Sequence, residues 1–99
     1  MDSPIAERHY TLVGPDGAHS IVVVQLGIPQ PDGPAWQCPY QIQGLGNTYT
    51  CVCIAVDSIQ ALQLVMIMIG AELDAYCRTM NSQLYWNWNG GNNLGFPLQ

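Results

Sequence analysis

The segment from Ser58 to Thr79 most constrains the fold, because its pattern predicts one long helix that is apolar on two sides. A helix that packs one face on a core needs only one apolar stripe, with polar residues opposite. The predicted core stripe consists of Ile59, Leu62, Val65, Met66, Ile69, Leu73 and Tyr76. The second stripe, on the far side, consists of Leu64, Ile67, Met68, Ala71 and Ala75. We expect another subunit, a partner protein or the chain's own C-terminal tail to cover the second stripe.

Charged residues make up only 9% of the 99 residues, whereas hydrophobic residues make up 48%. Globular chains carry about 25% charged residues, so this surface is weakly charged and poorly protected against association. Length and composition predict one globular domain, residues 1–99, rather than a disordered chain. The chain has no lysine, two arginines and a net charge of −5, which argues against binding to nucleic acid or to an anionic membrane surface.

The N-terminus has no basic region followed by an apolar run, so no secretory signal is predicted. The longest apolar run, residues 64–71, is shorter than the roughly 20 residues that span a bilayer. We therefore expect a cytoplasmic protein whose four cysteines stay as free thiols. Their spacing matches no zinc motif, and we expect no metal and no other cofactor.

Turn-forming residues divide the rest of the chain into predicted strands at 5–13, 20–28, 36–45 and 48–56, with a short fifth strand at 84–88. The second strand is rich in β-branched residues, which predicts burial on both of its faces. The segment 29–34 holds three prolines and is predicted to be neither strand nor helix. Pro39 favours an edge position or a bulge. Asp57 occupies an expected helix N-cap, with Gln60 placed as in a capping box.

This order of elements predicts an α+β fold. Consecutive strands joined by short turns give an antiparallel four-stranded meander, with the short strand as a fifth member. One long helix packs across the meander, which makes a two-layer sandwich. The apolar C-terminal residues Leu94, Phe96, Pro97 and Leu98 are predicted to dock on this body.

Six sequence blocks are distinctive in combination: 5–8 (IAER), 27–29 (GIP), 38–46 (CPYQIQGLG), 57–64 (DSIQALQL), 69–70 (IG) and 94–97 (LGFP). In this combination the chain resembles a family of small bacterial single-domain proteins that is catalogued only as a domain of unknown function. The likeness covers nearly the whole chain and implies a stand-alone domain of this length from a bacterium. The resemblance brings no activity, ligand or site residue with it.

The sequence carries no recognisable catalytic set, which favours a non-enzymatic protein. A cysteine nucleophile needs a base beside it, and both histidines, His9 and His19, are predicted to be solvated surface groups. The carboxylates Glu72 and Asp74 are two positions apart on the predicted helix, so they do not face each other.

The leading hypothesis is a protein-interaction module that associates with itself or with a partner protein. We predict a homodimer with the second stripe in its contact, and the competing explanation is coverage of that stripe by the tail. A small acidic chain could also be an immunity or inhibitor protein that blocks a basic enzyme. The alternative class is a small-molecule-binding or enzymatic domain with a pocket between the sheet and the C-terminal segment. The candidate lining residues of that pocket are Arg8, Trp86, Asn87, Trp88 and Asn89.

Overall fold

The computed structural model describes residues 1, 3–86 and 94–97, which form a sheet layer and a helix layer. The sheet strands are β1 (Ala6–Val13), β2 (His19–Leu26), β3 (Gln30–Asp32), β4 (Ala35–Leu45), β5 (Asn47–Ala55) and β6 (Gln83–Tyr85). The helix is α1 (Ser58–Thr79). The predicted α+β arrangement, an antiparallel sheet packed on one long helix, is confirmed.

The sheet has the strand order β5–β4–β2–β1–β6, and β3 pairs with the end of β4 that β2 leaves free. Every pairing is antiparallel. Strands β1, β2, β4 and β5 are neighbours in chain order, so the predicted meander is present. Strand β6 returns after the helix and pairs with β1 at the opposite edge from β5.

The prediction that segment 29–34 contains no strand is wrong, because β3 lies inside it. Gly33 takes a φ of 61° between β3 and β4, and the tight turn that results lets Asp32 face Ala35. Proline is tolerated in β3, since this strand pairs only with β4 and its other side needs no N–H donor. Pro39 lies in the interior strand β4, opposite the interruption between β2 and β3, where its carbonyl accepts from Gly27 N at 2.8 Å.

Burial of β2 on both faces is also wrong. Val22, Val24 and Leu26 point to the helix layer and are buried. Ile21 points to the opposite face and is 64% exposed. The reason is that, among the described residues, one helix and the tail cover only one face of the sheet.

Helix α1 begins as predicted, because Asp57 Oδ1 accepts from Gln60 N at 2.7 Å and Gln60 Oε1 accepts from Val56 N at 2.8 Å. The buried residues of α1 are Ala61, Val65, Ile69, Gly70 and Leu73. Of the predicted core stripe, Ile59 is an error, since this side chain is 67% exposed. Ile59 lies in the first turn, where the chain has only just left the sheet edge.

The C-terminal tail packs against the sheet and the helix together. The Tyr10 hydroxyl donates a short hydrogen bond to the Leu94 carbonyl. A Cβ placed on Gly70 would lie 3.1 Å from Phe96 Cβ, so the missing side chain of this glycine lets the tail approach the helix closely. Docking is thus confirmed for Leu94 and Phe96, which pack on the core. Pro97 is exposed, and Leu98 lies outside the described residues.

By length and composition alone, α1 could cross a membrane, and the core helices of many soluble proteins meet the same criterion. Here α1 packs across β4 and β5. The buried residues of α1 belong to the single core of the described chain.

Candidate interaction site

The free edge of β5 is the longest open strand edge in the described part of the chain. The strand has nine residues and pairs with β4 alone. Its sequence, NTYTCVCIA, contains neither a charged residue nor a proline. Natural sheets usually block an open edge with lysine, proline, a bulge or a very short strand. The opposite edge follows this rule, because β6 has only three residues.

Aliphatic side chains stand in solvent along β5 and at the start of α1. Val52 and Ile54 project from the face of the sheet that carries no helix, and Ile54 is 58% exposed. Val56, in the connection to the helix, and Ile59, in the first turn of α1, are both more exposed than Ile54. Several exposed aliphatic residues in one region are typical of an interaction surface.

The second stripe of α1 lies on the flank of the helix that faces this same edge. On the opposite flank, Met66 shares a hollow with Val24 of β2 and with Phe96 of the tail. Ala75, by contrast, shares a hollow with Tyr49 of β5. The helix therefore separates the tail from the β5 edge, and the described tail residues do not cover the second stripe.

The structure places the five predicted interface residues on the same flank of α1, and their side chains differ in how far they are buried. Leu64 and Met68 are half-buried and pack on the core, and Ile67 is half-buried without joining it. Ala71 and Ala75 are exposed. The stripe is therefore less exposed than its sequence pattern predicts, because the edge of the sheet already covers part of Leu64 and Met68.

Neither the β5 edge nor the second stripe carries a charge. The nearest ion pair on the helix joins Arg78 to Asp74 at 3.1 Å, with both side chains largely exposed. A second copy of this surface would therefore meet no like charge at its centre.

Two of the predicted ligand-pocket residues, Arg8 and Trp86, lie against each other beside the C-terminal tail. The Arg8 guanidinium lies 3.9 Å from the centre of the Trp86 ring and donates to the Gly95 carbonyl at 2.9 Å. These contacts hold the tail against β1. Asn87, Trp88 and Asn89 lie outside the described residues. What remains near Arg8 is a hollow of about 140 Å³, lined also by Met66 and Phe96.

The buried thiols and phenols of the core are poor nucleophiles. Burial raises the pKa of the Cys38 thiol and that of the Cys53 thiol, and Cys53 Sγ donates to the Ala61 carbonyl at 3.1 Å. Burial also raises the pKa of Tyr40, which the neighbouring Cys51 and Glu72 raise further. Within residues 1, 3–86 and 94–97 no three His, Cys, Asp or Glu side chains come together as a metal site.

Sequence reasoning found the second stripe but missed the open edge beside it. The sequence nevertheless indicates an open edge, since the last strand before the helix is the outermost strand of the predicted meander and contains neither a charged residue nor proline. What could not be read from the sequence is that the helix lies with its second stripe toward this strand.

A search of curated proteins and a search of solved structures each gave no match. A family model does match, over residues 6–98, and its description is a domain of unknown function, DUF6968. The match spans nearly the whole chain, which agrees with the resemblance seen in the sequence blocks. The chain belongs to the DUF6968 family.

Proposed function

We propose that this chain is a non-enzymatic interaction module that forms a homodimer through the β5 edge and the second stripe of α1. The observation that carries this proposal is the nine-residue edge of β5, which is free of charge and of proline and pairs with no further strand of the described chain. Such an edge presents a row of unpaired N–H and C=O groups to solvent.

The surface is complementary to itself. Two β5 strands paired antiparallel are related by a two-fold axis perpendicular to the sheet, so both helices lie on the same face. Each second stripe then faces its counterpart across the axis. The small side chains of Ala71 and Ala75 allow the two helices to approach.

The size of this contact suits a dimer. A nine-residue strand is about 30 Å long at roughly 3.4 Å per residue. The sheet edge and the helix flank together are roughly 20 Å high, from a helix diameter of about 10 Å and a similar layer spacing. The contact would bury about 1,200 Å² in total, which is the lower limit for specific, stable interfaces.

The substitution Ile54→Lys tests the proposal without touching the core, because Ile54 is exposed on the helix-free face of β5. In the dimer it places a lysine on the paired β5 edge of each copy, and lysine is a residue with which natural sheets oppose edge-to-edge pairing. We expect light scattering to show a dimer for the parent chain and a folded monomer for Ile54→Lys, with unchanged circular dichroism.

Ile21→Lys is the matched control, because Ile21 is similarly exposed on the same face but belongs to the interior strand β2. This variant should remain a dimer. A parent chain that stays monomeric at high micromolar concentration, or an Ile21→Lys variant that dissociates as fully as Ile54→Lys, would contradict the proposal.

A further inference from the structure

The direction of the backbone groups in β4 determines which residues of β5 face the open edge. The Pro39 carbonyl accepts from Gly27 N at 2.8 Å, and Gly27 directly follows β2, so Pro39 is turned toward β2. Backbone groups alternate in direction along a strand, so the next residue, Tyr40, directs its N–H and C=O toward β5. The residue of β5 that lies opposite Tyr40 is Cys51. The backbone of Cys51 is therefore bonded to β4, and that of its two neighbours is not.

The same alternation identifies every residue of β5 whose N–H and C=O point to the open edge: Thr48, Thr50, Val52 and Ile54. Two antiparallel strands exchange hydrogen bonds only where residues of this kind face each other. Pairing centred on Cys51 meets this condition for the whole set. Thr50 then faces the partner's Val52, and Thr48 faces the partner's Ile54. These are contacts between β-branched side chains without charge, which stabilise a sheet.

Other centres use the edge less completely. A centre at Thr50 or at Val52 leaves one edge-directed residue near an end of the strand without a counterpart in the other strand. Cys51 is the middle residue of the nine-residue strand, so only a centre at Cys51 pairs the strand over its whole length.

We propose that the two β5 strands of the dimer pair over their whole length, so that Cys51 lies opposite the partner subunit's Cys51 on the two-fold axis. This inference rests on the dimer proposed above, and it specifies which residues meet within that contact.

The two thiols lie close enough at this axis to be joined by a disulfide. Because the Cys51 backbone is bonded to β4, the pair across the axis is of the type without mutual hydrogen bonds, whose Cα atoms are about 4.5 Å apart. Disulfides span Cα distances of roughly 4.4–6.8 Å. Cys51 is half-buried and packs on the core beneath the helix, and an axis perpendicular to the sheet keeps both copies of this side chain on the same face.

The other cysteines do not lie on the open edge of β5. Cys38 and Cys53 are buried. Cys77 is half-buried like Cys51, but it belongs to α1 and lines a hollow together with Leu84 of β6. Since β6 forms the opposite edge of the sheet from β5, Cys77 provides a matched thiol outside the proposed contact.

Oxidation with diamide, followed by non-reducing gel electrophoresis, tests the proposed register. Two Cys51 thiols give up two protons and two electrons, the N=N bond of diamide takes them up and becomes a hydrazine, and one S–S bond forms. We expect the parent chain and Cys77→Ser to form a covalent dimer that dithiothreitol separates. Cys51→Ser should form none, although light scattering should still show a dimer with unchanged circular dichroism.

Two double variants test the neighbouring registers, namely Cys51→Ser combined with Thr50→Cys and Cys51→Ser combined with Val52→Cys. Positions 50 and 52 are more exposed than Cys51, so diamide reaches the new thiols at least as easily. In the proposed register each new cysteine faces a different residue of the partner, and we expect covalent dimers to form roughly tenfold more slowly than in the parent chain. Linkage through either position as fast as through Cys51 overturns the register, and so does a parent dimer that diamide does not link.

The register and the dimer fail in different ways. A parent chain that is a dimer by light scattering, but that is not linked through Cys51, contradicts the register and leaves the proposed function standing. A parent chain that is a monomer contradicts both. The monomeric Ile54→Lys variant should form no covalent dimer at the same concentration. Equal linkage in that variant would show that the disulfide does not come from paired β5 edges, and it would also overturn the register.

Discussion

Replacing Gly44 with alanine should destabilise the protein more than any other single methyl group added to the described chain. Gly44 has a φ of 106°, and a Cβ there would lie 2.3 Å from the carbonyl oxygen of Ile21 and 3.0 Å from the Cα of Val22. Both atoms belong to the backbone of β2, so they cannot rotate away. The residue marks the shift of register in the pairing of β4 with β5, between Ile42 and Leu45.

Two separate effects lower the unfolding free energy of the Gly44→Ala variant. An L-residue held at positive φ costs about 1–2 kcal/mol, and displacement of β2 from β4 brings the loss in unfolding free energy to about 3–5 kcal/mol. Urea unfolding measures this loss directly. Gly46→Ala isolates the first cost, because Gly46 has a φ of 94° with no atom within 4 Å of the added Cβ. Equal losses for the two variants would show that the close approach of β2 does not exist.

Replacing Gly95 with alanine should release the tail from the body. Gly95 has a φ of 82°, and a Cβ there would lie 2.5 Å from Arg8 Nη1 and 2.6 Å from the Trp86 ring. To admit the methyl group, Arg8 must give up its hydrogen bond to the Gly95 carbonyl or its position on the Trp86 ring. A hydrogen bond to a charged group contributes about 1.5–3 kcal/mol, so with the backbone strain we expect a loss of about 3 kcal/mol in unfolding free energy.

The matched control for the tail is Gly17→Ala. Gly17 has the same φ of 82°, and nothing lies within 4 Å of its added Cβ. Urea unfolding of Gly17→Ala should therefore show the strain alone, about 1–2 kcal/mol. If the two variants unfold at the same urea concentration, the contact of Arg8 and Trp86 with the tail contributes nothing to stability.

The helix and the inner faces of the strands could be predicted from periodicity. Buried residues recur about once per turn in a helix and at every second position in a strand. The helix bounds agree with the pattern since Asp57 caps the first turn locally. The predictions are wrong where contacts between residues far apart in the sequence determine the burial or the pairing of a strand. Ile21 is exposed because no described residue covers the second face of β2, and β3 forms because Gly33 turns the chain back onto β4.

The candidate site shows the same division. The apolar second stripe is a local property of the sequence, because residue spacing alone predicts it. The openness of β5 follows from its place at the end of the predicted meander, whereas the distance of the tail from the stripe depends on how the helix lies on the sheet, which no local pattern encodes. The contacts of Arg8 could not be predicted either, because its partners Trp86 and Gly95 lie far from it in the sequence.

The central claim is that two copies pair through β5, and hydrogen exchange of the β5 amides tests it most directly. The amides of β5 that do not bond to β4 lie on the open edge, so in a monomer they exchange rapidly. The account predicts that these amides, within Asn47–Ala55, gain protection when the protein is raised from low micromolar to high micromolar concentration, while those of β6 do not change. Rapid exchange along the open edge of β5 at every concentration would contradict it.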